Sequence, residues 1–182
     1  MSGHSHWAGI KHKKEATDQK RGKVFSKLLA AISAAAKTEP NPDFNPRLRT
    51  AIMKAREASV PADNIERAVK RAAETGQDLE ELVFEAYGPG GVAIMIEAVS
   101  DNRNRTVQEV KTILKEMNGK WAESGSVRWA FEPAAGAAGG AGGWQAKFPQ
   151  DISAEDAQKL AALVAALEDQ DDIQTIVTSA RP

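Results

Sequence analysis

The sequence predicts an α+β protein: an N-terminal three-helix bundle, then an α+β domain whose antiparallel or mixed sheet is covered by two helices. Three observations predict it. Apolar residues recur at helical spacing through residues 20–75, strand-like runs replace them from residue 82, and the charge changes sign between the two halves. Residues 1–71 hold 15 Lys or Arg against 7 Asp or Glu, whereas residues 72–182 hold 9 against 18. One lobe therefore attracts anions and the other repels them.

In KRGKVFSKLLAAISAAAK, Phe25, Leu28, Leu29 and Ile32 share one helix face, and Lys20, Lys23 and Lys27 project from the opposite one. The proline-rich loop TEPNPDFNP ends that helix. A second helix in RLRTAIMKAREA carries Leu48, Ile52 and Ala55 on a stripe. In PADNIERAVKRAAETG, Asp63 is the expected N-cap, Glu66 completes a capping box and Gly76 is the expected stop. Its apolar stripe is Ile65, Ala68, Val69 and Ala72, with Arg67, Lys70 and Arg71 turned away.

LVFEAY and VAIMIEAV are rich in β-branched and aromatic residues, and Gly88-Pro89-Gly90-Gly91 joins them as a hairpin turn. Thr106 and Glu109 form a second capping-box signature, for a helix carrying Val107, Val110, Leu114 and Met117 on one stripe. SVRWAFE alternates Val127, Trp129 and Phe131 as a strand with one buried face. Beyond the Ala/Gly-rich tether at 133–143, WQAKFP is a strand, SAEDAQKLAALVAALED a helix with Leu160, Leu163, Val164 and Leu167 inward, and IQTIVT a closing strand. The expected domains are 1–78, a basic helical domain with a flexible N-terminal arm, and 79–132 with 144–182, a split α+β domain.

Hydrophobic residues make up 42% and charged residues 27%, the balance of an ordinary soluble protein. Cysteine is absent, which removes disulfides, thiolate nucleophiles and Cys-ligated zinc and suits a reducing cytoplasm. No apolar run approaches a membrane span, and the N-terminus has no apolar signal core. A soluble, cytoplasmic protein without a membrane partner is expected.

The glycines at 88–91 lead into a strand and no lysine follows them, so a phosphate-cradling Walker loop fails and a turn remains. Arg103 and Arg105, between a strand end and a helix start, fit a solvated loop or a phosphate contact, with Asn102 and Asn104 beside them. The N-terminal cations Lys11, Lys13, Lys14, Lys20, Arg21, Lys23 and Lys27 make a stripe preceded by His4, His6, Trp7 and His12. Such a segment attracts nucleic-acid backbones. His4 and His6 alone are a weak metal pair. Trp121, Trp129 and Trp144 are read as packing residues rather than a base-stacking platform, and EDQDD at 168–172 as a solvated turn. No histidine, carboxylate pair or serine motif assembles a catalytic constellation. The expectation is a protein with no enzymatic activity, cofactor, metal or small-molecule substrate.

MSGHSHWAGIKHKKEATDQKRGKVFSKL, NPRLRTAIMKAREASVPADNIERAVKRA, YGPGGVAIMIEAVSDNRNRT and GSVRWAFE together closely resemble the YebC/PmpR family of bacterial proteins, whose mitochondrial relatives include the translational activator of cytochrome c oxidase. The resemblance covers nearly all of residues 1–132 and, more loosely, 144–178. It implies a non-enzymatic regulator of gene expression, either a transcriptional regulator that binds DNA or a ribosome-associated factor that binds ribosomal RNA and relieves stalled translation. A protein-interaction module with incidental basic charge is the third reading. The contact residues it implies are Lys11, Lys13, Lys14, Lys20, Arg21, Lys23, Lys27, Arg67, Lys70, Arg71, Arg103 and Arg105. The family ordinarily inserts a third domain after the SVRWAFE strand, where this chain has the tether.

Overall fold

No proline and only isolated glycines, Gly9 and Gly22, interrupt the chain between residues 4 and 36, so nothing stops a helix once it has started. In a computed structural model, α1 runs Gly3–Ala36. The structure describes residues 3–75, 78–134 and 143–181, with side chains for all of these except residues 3–16 and 75. The sequence reading set a mobile arm before a helix near Lys20; the helix instead takes in the arm's backbone from Gly3. The Gly76 stop and most of the 133–143 tether lie outside the described residues.

Asn45 couples the first helix to α2 (Pro46–Glu57). Its Oδ1 accepts from Leu48 N at 3.0 Å, while its Nδ2 donates to Ala35 O at 2.9 Å and Glu39 O at 2.7 Å. A single buried side chain thus caps the incoming helix and satisfies carbonyls where the outgoing one ends. α3 spans Ala62–Thr75. Asp63 is therefore inside the first turn rather than the N-cap, because Pro61 O already accepts from Asn64 N and Ile65 N. Ile32, Leu48, Ala55, Val60, Ile65 and Ala72 close the bundle core.

The second part is the expected α+β arrangement. β1 (Glu80–Tyr87) and β2 (Ala93–Ser100) pair antiparallel in full register from Glu80 opposite Ser100 to Tyr87 opposite Ala93. Between them Gly90 and Gly91 both adopt φ of +74°, a backbone conformation that side chains resist. β3 (Lys120–Ala122) and β6 (Ile173–Thr178) complete a four-stranded antiparallel sheet in the order β3-β1-β2-β6. α4 (Arg103–Glu116) and α5 (Ala154–Glu168) cover one face, packing Val110, Leu114, Leu160, Leu163 and Leu167 on Leu82, Phe84, Ile94 and Ile96. The opposite face meets α1 towards one end and, around Met95, a small ribbon of β4 (Phe131–Pro133) and β5 (Trp144–Ala146).

Two local readings are corrected. α4 is capped by Asn102, whose side chain accepts from Arg105 N at 3.1 Å, and not by Thr106. Thr106 is fully buried one turn later. SVRWAFE is not one alternating strand. The Glu85 carboxylate accepts from Gly125 N and Val127 N, each at 2.7 Å, which draws the segment into a turn. Residues 128–130 then form a 3-10 turn, and only Phe131 onward is strand. Val127 and Phe131 are buried as expected, whereas Trp129 is 62% exposed. β3, built on Trp121, had no counterpart in the sequence reading.

Replacing Asn45 by Ala removes the cap and orphans the carbonyls of Ala35 and Glu39. Urea unfolding of Asn45→Ala is expected to show a loss of roughly 1–3 kcal/mol with an unchanged slope.

Candidate nucleic-acid interface

The bundle and the sheet domain meet along α1, whose Leu28, Ala31 and Ala35 border a space shared with Val83 and Val99 of the sheet and whose polar side reaches further, to α5. The apolar stripe of this helix is spent on α2 and α3, so the lysines on its far side face the C-terminal end of α5. Four carbonyls at such an end lack intrahelical donors, and the helix dipole makes them attractive to cations. Lys27 Nζ donates to Glu168 O at 2.6 Å. Lys23 Nζ donates to Asp169 O and pairs with the carboxylates of Asp169 at 3.0 Å and Asp171 at 3.2 Å. The hydrogen bond to Asp169 raises the Lys23 pKa above its ordinary value. Burial, with Lys23 nearby, lowers that of Lys27. The acidic run read as a solvated turn is thus a docking surface for α1.

Next to this contact, Asp172 organises the start of α4. It accepts from Thr106 Oγ1 at 2.6 Å, from Arg105 Nη2 at 2.9 and 3.2 Å, and from Gln170 Nε2 at 3.3 Å. Burial alone would raise its pKa, yet these donors outweigh burial and hold the carboxyl below its ordinary range. Arg105 also pairs with Asp101 at 3.0 Å. Arg103 and Arg105 therefore stand on the first turn of a helix, not in a loop.

Two adjoining open grooves run between the lobes. One, about 850 Å³, has Arg67 and Arg71 of α3 on its wall. The other, about 480 Å³, has Lys23, Lys27 and Arg105. Ala30, Leu79 and Asp101 line both, so five predicted cations from three separate stretches of sequence border one continuous cleft. Asp78, Asp101, Asp171 and Asp172 line it too, and the cleft is not uniformly positive.

The remaining expected residues lie elsewhere. Lys20, Arg21, Lys70 and Arg103 are exposed, Arg21 lying over the Phe25 ring at 5.1 Å and Lys70 pairing with Glu74 at 3.8 Å. Arg67 is hydrogen-bonded to Asn64 and to Asp63 O. Lys11, Lys13 and Lys14 fall on the backbone of α1, their side chains outside the described residues. Sequence reasoning missed Asp169, Asp171 and Asp172; the signal available was the acidic run following a helix, opposite in charge to the α1 stripe.

Two family models match in chain order: the TACO1/YebC protein N-terminal domain over residues 5–75 and the TACO1/YebC second and third domain over residues 79–137. The chain belongs to the TACO1/YebC family. Similar TACO1/YebC relatives include a "Probable transcriptional regulatory protein" of Trichlorobacter lovleyi, 53% identical over 135 residues, covering 72% of this chain and 55% of the relative. One of the same description from Aquifex aeolicus is 52% identical, covering 72% and 54%. The chain spans about half the length of the curated relatives it matches. The crystal structure of a conserved hypothetical protein from Aquifex aeolicus superposes with a TM-score of 0.79 at 35% identity, covering 97% of this chain and 96% of that one. Among the described residues of this TACO1/YebC chain, no helix is long and apolar enough to cross a membrane.

Asp172→Asn tests the α4 anchor. A depressed carboxyl pKa contributes stability that is present above the unfolded value, about 3.9, and is lost as the pH falls through the folded value. At pH 7 the variant is expected to be less stable than its parent by roughly 1–3 kcal/mol, and the gap should narrow as the pH drops below about 4. Denaturant titrations at both pH values measure it.

Proposed function

We propose that the chain is a non-enzymatic regulator of gene expression that binds nucleic acid through phosphate contacts of its basic helical lobe, with DNA, as in transcriptional regulation, the first reading. The observation that carries this reading is the convergence of Lys23, Lys27, Arg67, Arg71 and Arg105 on one inter-lobe cleft. Lysine and arginine side chains gathered from separate elements suit a polyanion whose charges repeat along its length. Lys23 and Lys27 already collect anionic and carbonyl oxygens from the chain's own α5 end, the acceptor chemistry a phosphate would offer in their place. The relatives' description as transcriptional regulatory proteins agrees with the reading.

Ribosomal RNA, and with it action on translation in a soluble, cytoplasmic setting, is the second reading. One feature favours it: the cations border a cleft between lobes instead of studding the start of one projecting helix, the arrangement that enters a DNA major groove.

Asp169 and Asp171 are 85% and 84% exposed at their side chains, so their pairs with Lys23 exchange readily with a competing anion. Three outcomes follow from this proposal. Reversing Arg67 and Arg71 to Glu should abolish binding, and in the parent, if about five phosphates are neutralised, affinity should fall roughly 2–3 decades between 50 and 200 mM salt; anisotropy titrations that find salt-insensitive binding or a fully active double variant overturn the reading. Conversely, Asp169→Asn with Asp171→Asn should tighten binding at low salt, an effect that disappears in high salt.

A further inference from the structure

Trp129 and Phe148 are side by side in solvent. Trp129 is 62% exposed and Phe148 53%, their ring centroids 6.0 Å apart and their planes inclined by 37°. Large apolar rings left singly on a surface need no explanation, but these two adjoin and are fixed from beneath. Trp129 Nε1 donates to Ser126 O at 2.9 Å, and Lys147 N donates to Ala130 O at 2.8 Å, which prolongs the ribbon past its Phe131–Ala146 pair. Val127, Ala130 and Phe131 on either side of Trp129 are buried. Packing therefore holds the backbone while the rings themselves stay uncovered.

A cation adjoins the rings without an ionic partner of its own. Lys147 Nζ is 5.3 Å from the Phe148 centroid, whereas the guanidinium of Arg128, the residue before Trp129, is 5.0 Å from the Trp144 ring towards the other end of the ribbon. Among the described residues neither cation forms an ion pair, in contrast to Lys23, Arg47, Arg105 and Arg181. The nearby Glu132 is engaged by Gln145 Nε2 at 2.9 Å. Residues 134–143 join the opposite end of the ribbon, beyond the Pro133–Trp144 pair, so the aromatic pair does not stand at the junction of that segment.

We propose that Trp129 and Phe148 form a stacking platform for unpaired bases of single-stranded nucleic acid, with Lys147 meeting a flanking phosphate. The platform rests on the nucleic-acid reading above and names the form of ligand: a base inside a duplex is already stacked on both faces, whereas an unpaired base has a face to offer. Exposed rings with adjacent cations are the two components from which sequence-tolerant single-strand binding is built.

The test uses the full chain, labelled oligo(dT) and oligo(U) of 15 nucleotides, and a DNA duplex of equal length. Single-strand affinity is expected to fall roughly 5- to 150-fold in Trp129→Ala and in Phe148→Ala, in line with about 1–3 kcal/mol per stacked base. Trp129→Phe should restore most of it, and duplex affinity should stay within about twofold. Unchanged single-strand binding in both alanine variants, or an equal loss on the duplex, overturns the platform alone. A parent that binds none of the three probes overturns both the platform and the nucleic-acid reading. Sedimentation supplies the remaining decision: a parent dimer that Trp129→Ala converts to monomer assigns the rings to self-association and overturns the platform.

Discussion

α1 is the element on which the relation between the two lobes depends, since it lies against β2 and β6 and sends its lysines to the end of α5. α1 is a two-sided helix. Phe25, Leu28, Leu29 and Ile32 commit one side to the bundle, and the opposite side carries Lys23 and Lys27 to carbonyls and carboxylates more than 140 residues away in sequence. A helix C-terminus is a suitable receiver, since its unsatisfied carbonyls and its dipole attract cations even before Asp169 and Asp171 add formal charge. Arg47 on α2 repeats the arrangement with Glu81 on β1 at 2.7 Å. The lobes are thus joined by ion pairs at the margins of the junction, while each lobe keeps its own apolar core.

What could be read from sequence divides along the same line. Local periodicity marked the bundle stripes, and the Gly-Pro-Gly-Gly turn with its flanking β-branched runs marked the hairpin, because both signals lie within a few residues of what they determine. Asn102 displaced Thr106 as the cap through a difference of one helical turn, a scale at which boundary signals compete. Trp129 was misread for a different reason. Alternation around it suggested a strand, but Glu85, on another strand some 40 residues earlier, pulls Gly125 and Val127 into a turn and leaves the indole outside. The pairing of Lys23 with Asp169 and Asp171 was equally out of reach, since it follows from where α5 packs on the sheet and not from any property of residues 168–172 themselves. At the candidate site, sequence gave the chemical types of the cations, and only the fold brought Arg67, Arg71, Lys23, Lys27 and Arg105 to one cleft.

The acids within that cleft alter what its cations can do. Arg105 is committed to Asp172, itself held by Thr106 and Gln170 in a partly buried cluster, and removing it from that cluster would leave a carboxylate without its cationic partner. Lys23 is different: its partners are almost fully in solvent, where an ion pair contributes little and exchanges with other anions. The cleft therefore has a fixed cation, Arg105, at the start of α4 and an exchangeable one, Lys23, on α1, with Arg67 and Arg71 on the facing wall. Under the proposed reading, a polyanion enters by trading places with Asp169 and Asp171, and the acidic lobe acts as a competitor whose strength is set by ionic strength.

Neither surface invoked in this account reads a base edge. Phosphate contacts from Lys and Arg fix position and carry no sequence information, and an aromatic platform accepts any base because every base has a face to stack. A protein that binds by these two means discriminates by form, distinguishing single strands, bends and junctions from regular duplex, in preference to sequence. Selection of a particular gene or transcript by such a chain would then fall to the shape of the nucleic acid or to a second protein. The cation-lined cleft is at the Val99 end of β2 and the ribbon beside the aromatic pair packs on Met95 of the same strand, so the two surfaces are separate and a strand engaging both would have to reach beyond the cleft.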